Sequence, residues 1–306
     1  EFTWVGKKAA IVEANKPIRK TLRPCPEESV NWDTTENLYI EGDNLEVLKL
    51  LQESYLGKVK MIYIDPPYNT GNDFIYADDF TMTGEEYAEE LGVTDDAGNR
   101  LFKNTDSNGR FHSDWCSMIY SRLMLSRNLL SEQGLIMISL DDGEIENLKK
   151  ICNEIFGERN FLECLIWKKR ATPPNDKNIG RIHEFILCYA KNIEILSLGL
   201  LPRDEKSISR YSNPDGDPRG PWVASDLRAN GKGGRIVQSC VYTIMNPNNH
   251  KEYLPSEGRC WLFNKEKMEE WIRDGRVAFR DNTGAPFLKR YLSEVRQGLT
   301  LPTIMT

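Results

Sequence analysis

Lys58-Val59-Lys60-Met61-Ile62-Tyr63-Ile64-Asp65-Pro66-Pro67-Tyr68-Asn69 is the stretch on which the fold turns. Val59–Ile64 is an apolar, β-branched run bounded by Gly57 and by Asp65-Pro66-Pro67, which predicts a buried parallel strand. Just upstream, Leu45, Leu48, Leu51 and Tyr55 recur at helical spacing, with Asp43 placed to cap the helix N-terminus. Leu38-Tyr39-Ile40 reads as a short strand before that helix. Strand, helix and strand follow one another within about 30 residues, a βαβ unit and therefore an α/β sheet.

Residues 1–36 read as an irregular arm, because Pro17, Pro24 and Pro26 interrupt any helix. Residues 69–113 are polar and form a long loop, with one short helix near Glu85–Leu91. The pattern then predicts a helix over Trp115–Leu130, a strand over Gly134–Leu140, a helix over Glu144–Phe156, and strands at Leu162–Trp167 and Phe185–Tyr189. The basic stretch Lys168–Ile182 between the last two resembles a hairpin tip facing a polyanion. Past about residue 196, Pro, Gly, Asn and Arg dominate Arg203–Arg235. Short strands follow near Val241–Ile244 and Cys260–Phe263, with a helix over Lys265–Asp274. The expected organisation is an arm (1–36), a sheet domain (37–196) and a further region (197–306).

Composition excludes several classes. The chain has 306 residues, 40% of them hydrophobic and 28% charged, with a mean hydropathy of -0.53. No apolar run approaches the roughly 18–20 residues of a membrane span. Seven cysteines without CxxC spacing and three histidines argue against a disulfide scaffold or a structural zinc site, and point to a reducing cytoplasm. Residues 197–306 carry 17 Lys and Arg against 13 Asp and Glu, whereas residues 1–196 carry 23 against 33. A basic C-terminal third on an acidic body is expected if only that part touches phosphate.

Asp65-Pro66-Pro67-Tyr68 leaves the carboxyl end of its strand, where open α/β sheets bind ligands. Two prolines fix φ and remove two N–H donors. What remains is acceptors, the Asp65 carboxylate and the Pro66 carbonyl, beside the aromatic face of Tyr68. That set suits a planar substrate bearing an exocyclic NH₂.

This tetrapeptide resembles the catalytic motif of amino-group DNA methyltransferases. With Glu41-Gly42-Asp43-Asn44-Leu45-Glu46 before it, Asn69-Thr70-Gly71 after it, and His183-Glu184-Phe185-Ile186-Leu187-Cys188-Tyr189-Ala190-Lys191-Asn192, the chain resembles the β-class Mod subunits of type III restriction–modification systems. The resemblance implies a partial Rossmann-like methyltransferase sheet followed by a target-recognition region. It also implies methyl transfer from S-adenosylmethionine to N6 of an adenine flipped out of double-stranded DNA. Asp65, Pro66, Pro67 and Tyr68 would form the catalytic motif, and Asp43, Asp65 and Asn69 would meet the cofactor. A homodimer and a restriction (nuclease/helicase) subunit are the implied partners. Alternatives are N4-cytosine methylation, or a non-catalytic DNA-binding or assembly fragment.

Other residues keep two readings. Asp43 is a helix cap or a cofactor contact, and so is Asp141-Asp142. Phe74, Tyr76 and Phe80 cover the ligand or pack as a lid. Trp115 and His183 read as structural, and Cys25 lacks the context of a C5-cytosine nucleophile. Gly231-Lys232-Gly233-Gly234-Arg235 lacks P-loop spacing and reads as a basic loop. Arg219, Arg228, Lys232 and Arg235 are the candidate DNA contacts. The F-x-G-x-G turn that grips S-adenosylmethionine in β-class enzymes is absent. With Glu1 in place of an initiating Met, this suggests the catalytic and recognition part of a longer or split enzyme.

Overall fold

Val59–Ile64 forms β1 in the computed structural model, which describes residues 1–71, 74–76, 93–94, 100–104, 109–175, 178–230 and 236–305. β1 pairs in parallel with the eleven-residue β5 (Leu130–Leu140), placing Ile62 beside Ile136 and Ile64 beside Ile138. On its other side β5 pairs antiparallel with β7 (His183–Ala190), and β7 pairs antiparallel with β6 (Phe161–Lys168). The last strand, β15 (Ile304–Met305), runs parallel to β6, so the order is β1-β5-β7-β6-β15. β1 is thus an edge strand. Its apolar residues are not all covered: Met61 is 49% and Tyr63 53% exposed, a departure from the buried strand expected.

Four helices build the layer that the sheet packs against. The 19-residue α3 (Phe111–Leu129) is buried over most of its circumference, serines included, because α1 (Lys7–Asn15) and α2 (Asn44–Tyr55) both pack on it. A helix buried nearly all round needs few surface-type residues. α4 (Ile145–Cys152) adds Leu148 and Ile151 to a core that includes Ile136, Ile138, Leu140, Leu187 and Tyr189. Asp43 caps α2, its carboxylate accepting from Glu46 N at 2.9 Å.

Two expectations about the N-terminal third are corrected. The arm contains α1, which ends at Asn15, with Lys16 extended before Pro17, as the residue preceding a proline prefers. Ala10 and Ala14 are its buried face. The helix starts from Gly6 at φ 103°, where a Cβ would come within 2.9 Å of Ser117 Oγ. Leu38–Ile40 forms no strand, and Leu38 and Tyr39 project into solvent. The helix expected near Glu85–Leu91 lies outside the described residues. Around it, the short strands β2 (Phe74–Tyr76), β3 (Val93–Thr94) and β4 (Arg100–Lys103) pair antiparallel in the order β2-β4-β3.

The chain divides into two compact units, Glu1–Leu198 with Pro302–Thr306, and Gly199–Leu301. After the four-residue α5 (Glu205–Ile208), the second unit is built from short strands. β8 (Trp222–Ser225), β13 (Val277–Phe279) and β14 (Pro286–Tyr291) form a three-stranded sheet. β9 (Arg228–Asn230) pairs with β12 (Arg259–Trp261), and β10 (Ile244–Met245) with β11 (Glu252–Tyr253). α6 (Lys265–Arg273), capped by Asn264, adds Met268 to a core of Leu227, Ile244, Trp261, Val277 and Leu288. The strand expected at Val241–Ile244 begins only at Ile244; a 3₁₀ turn occupies Gln238–Cys240 just before it. Among the described residues no helix is long and apolar enough to cross a membrane, and no cluster of His, Cys, Asp or Glu is placed to hold a metal ion.

Candidate active site

The site grows from the exit of β1. Pro66 and Pro67 cannot continue a ladder, and the backbone turns there. The Pro67 carbonyl accepts from the indole nitrogen of Trp115 at 2.7 Å. Trp115 is fully buried in the first turns of α3, so the exit is tied to the best-packed helix of the unit. On the other side lies Gly143, in the turn after β5, where an added Cβ would stand 3.6 Å from the Tyr68 carbonyl oxygen. That turn is closed by Asp141, whose Oδ1 accepts from Gly143 N at 2.9 Å.

Asp65 is exposed at the carboxyl end of β1 and Tyr68 is half-buried. Burial raises the Tyr68 phenol well above its ordinary value, and the Asp65 and Glu184 carboxylates raise it further. The phenol therefore stays protonated beside the Asp65 carboxylate. An anionic acceptor and a flat aromatic ring are thus held together on one short loop. Glu184 is itself held by the Lys169 amine.

Asn69 turns inward. Its backbone is left-handed, at φ 59°, and it is 5% exposed. Its Nδ2 donates to Glu144 Oε1 at 2.5 Å and to the Phe111 carbonyl at 3.3 Å, while its Oδ1 accepts from Asn104 Nδ2 at 2.8 Å. The same Glu144 oxygen meets His112 Nδ1 at 2.6 Å, and Oε2 accepts from Asn147 Nδ2 at 2.8 Å. Glu144 is 1% exposed. The sequence reading gave Asn69 to the cofactor; here both ends of its amide are taken by protein groups.

Glu144, His112 and Asn104 escaped the sequence reading, and Trp115 was read only as packing. Gly143-Glu144 at the end of a strand was the available signal for Glu144, since it resembles a helix start. Asp142 pairs with Arg181 at 3.0 Å. His183 lies edge-on to Phe185, with ring centroids 5.2 Å apart. Tyr76 and Phe74 lie on β2, and Phe80 lies outside the described residues.

The sequence profile of a DNA methylase family matches residues 59–273, from the first residue of β1 into the second unit. The chain belongs to that family. Among curated members, it is 45% identical over 201 residues to the EcoP15I Mod subunit of a type III restriction-modification enzyme from Escherichia coli. That match covers 64% of this chain and 31% of the relative. It is 41% identical over 221 residues to the EcoPI Mod subunit from Escherichia phage P1, covering 70% and 34%. With the StyLTI Mod subunit from Salmonella typhimurium it shares 35% identity over 293 residues, covering 94% and 43%. The chain spans about a third to two-fifths of these relatives' lengths.

In this member of the DNA methylase family, the candidate DNA contacts sit in the second unit. Arg219 is bound by Asp217 at 2.8 Å and Asp274 at 2.7 Å, and its guanidinium lies over the Tyr291 ring. Its charge is therefore already engaged within the fold. Arg228 is more open, its side chain 41% exposed, with Nε on Asp226 at 3.0 Å. Asp226 also holds Arg259 at 2.9 Å, so one carboxylate orients two guanidiniums. Asp226 and Arg228 border a cavity of about 280 Å³ whose lining also includes Tyr253, Trp261, Arg280 and Phe287. Lys232 and Arg235 lie outside the described residues.

Proposed function

We propose that this chain is the amino-group-holding part of a site-specific DNA adenine N6-methyltransferase, the modification subunit of a restriction–modification system. The observation that carries the reading is the Asp65–Tyr68 pair, an acceptor and a ring held together where a sheet strand ends. A flipped adenine stacks on Tyr68. Asp65 and the Pro66 carbonyl accept its two amino hydrogens and aim the nitrogen lone pair outward. S-adenosylmethionine, when bound, supplies a methyl group on a positively charged sulfur. With the methyl delivered to that nitrogen and the neutral thioether released, Asp65, being exposed, would pass the displaced amino proton to water.

The donor chemistry of the loop fits such a cofactor. Asp43 uses one carboxylate oxygen to cap α2, and its other oxygen and Asp65 suit ribose hydroxyls or an ammonium group. The second unit, with Arg228 on its surface, is proposed as the target-recognition region. A homodimer, a restriction subunit and a cytoplasmic location complete the reading.

The test is transfer of labelled methyl from S-adenosylmethionine to duplex DNA by the complete protein, with Asp65→Ala beside the wild type. Wild-type transfer that is abolished by Asp65→Ala, with DNA affinity unchanged, supports the reading. Full activity of Asp65→Ala overturns it. Titration of S-adenosylmethionine into the 306-residue chain separates the second reading. A folded chain that binds no cofactor acts in DNA binding or assembly, and needs further sequence for transfer.

A further inference from the structure

We infer that Glu144 is a positioning residue for the proposed methyl transfer: from inside the core it holds Asn69, and through Asn69 the backbone that carries Asp65–Tyr68. The inference rests on the function proposed above and adds a residue to it.

A carboxylate this deeply buried is costly unless its oxygens are satisfied. Glu144 meets Asn69, His112 and Asn147 at 2.5, 2.6 and 2.8 Å. The three partners come from three places: the loop leaving β1, the first turn of α3, and the first turn of α4. The hydrophobic core beside Glu144 is already supplied by Leu140 and Leu148, both fully buried. A carboxylate is therefore not needed here to fill space. What it supplies is a fixed acceptor at one point.

Asn69 is what needs holding. A left-handed backbone is unfavourable for a residue with a side chain, and Asn is among those that tolerate it best. It directly follows Tyr68, so any relaxation of φ at Asn69 shifts the backbone that carries the tyrosine ring beside Asp65. Glu144 and the Phe111 carbonyl hold the amide nitrogen, and Asn104 holds the oxygen. His112, whose side chain is 60% exposed, joins the same Glu144 oxygen and leaves one ring nitrogen toward solvent. The chain from solvent to motif is thus His112, Glu144, Asn69, Tyr68.

The experiment compares Glu144→Ala, Glu144→Gln and Asn69→Gly in the complete protein. Gln keeps an acceptor toward Asn69 and His112, while Gly adopts φ near 60° freely but has no amide to hold. Glu144→Ala is expected to speed amide exchange of residues 68–71 by about tenfold or more, with β5 and β7 unchanged, since a hydrogen bond to a charged group is lost. Single-turnover methyl transfer should fall about 100-fold, the scale of a misplacement of roughly 1 Å, while DNA and cofactor affinities hold. Glu144→Gln should recover most of both.

Unchanged exchange at 68–71 in Glu144→Ala overturns the inference. So does a loss of transfer that Gln fails to rescue, or that merely follows global unfolding. If Glu144→Ala does not fold, Asn69→Gly decides: slow transfer at an unchanged Tm supports the inference, and wild-type transfer overturns it. A wild-type protein that moves no methyl group would sink the proposed function instead, and the exchange measurement would still decide whether Glu144 holds the loop.

Discussion

The indole N–H of Trp115 donates to the carbonyl of Pro67 across 2.7 Å and 48 positions of sequence. An exposed catalytic-type loop is thereby anchored to a residue with no solvent exposure. Trp115→Phe keeps most of the ring volume but removes the donor, leaving a partly buried carbonyl without its partner. We expect a loss of about 1–2 kcal/mol in denaturant unfolding and a slower methyl transfer. Unchanged stability would show that water replaces the indole.

Tyr68 offers a ring and a hydroxyl, and the two can be separated. Tyr68→Ala should weaken retention of the extrahelical base by roughly 1–3 kcal/mol, by analogy with base stacking on single-strand binders. A fluorescent adenine analogue at the target position would report it. Tyr68→Phe should keep base retention. Because burial and neighbouring carboxylates raise the phenol, wild type and Tyr68→Phe should share one pH–rate profile between about pH 6 and 9, below the ordinary tyrosine value.

Asp43 caps α2, and this alone predicts that Asp43→Ala costs about 1 kcal/mol of stability. Asp43→Asn retains a capping oxygen and loses the charge. If Asp43 also meets the cofactor, Asp43→Asn should weaken S-adenosylmethionine binding at nearly unchanged Tm; equal affinities would leave Asp43 as a cap only.

Which parts were legible from sequence follows from how local their causes are. β1 was readable because its apolar run is fenced by Gly57 on one side and Asp65-Pro66-Pro67 on the other, and α2 because Asp43 announces its start. α1 was not, since its buried face is only Ala10 and Ala14 and the nearby prolines suggested disorder of pattern. Leu38–Ile40 has strand composition but finds no pairing neighbour among the described residues. Strands of two or three residues in the second unit, such as Ile244–Met245, owe their form to tertiary pairing. Asp65 and Tyr68 announced themselves through two prolines. Glu144 could not, because a glutamate on a helical pattern reads as surface, and two of its three partners lie 75 and 32 positions away.

Acid should loosen the second unit through Asp217. The Arg219 guanidinium, followed by the Tyr291 hydroxyl and the Lys289 amine, holds this carboxyl far below the usual carboxylate range. Its folded pKa lies below its unfolded value near 3.9, so its contribution is complete above about pH 5 and is lost as pH falls through the folded value. Asp217→Asn should remove this part of the acid sensitivity. It should also lower stability at neutral pH, because Arg219 and the buried Lys289 lose a charged partner, although Lys289 keeps Asp215. Amide exchange in β14 against pH would measure both.

If the second unit meets DNA phosphates, log affinity should fall linearly with log salt concentration. Arg228→Ala should reduce that slope by about one and weaken all sequences alike; a change confined to one base position would mean base reading instead. A flat salt response would remove the second unit from the DNA interface.

Leu201 and Leu299 exchange both backbone hydrogen bonds at 2.8 Å, at the two ends of the second unit, and β15 then returns to the first unit's sheet. The inserted polypeptide therefore leaves and re-enters at a separation of one strand spacing. Any other insert with a similarly closed base would meet the same two attachment points, whatever its size or surface. The fold is in this sense a socket, in which one insert exchanged for another would leave the sheet that carries Asp65 in place. A chimaera grafted between residues 201 and 299 would test it.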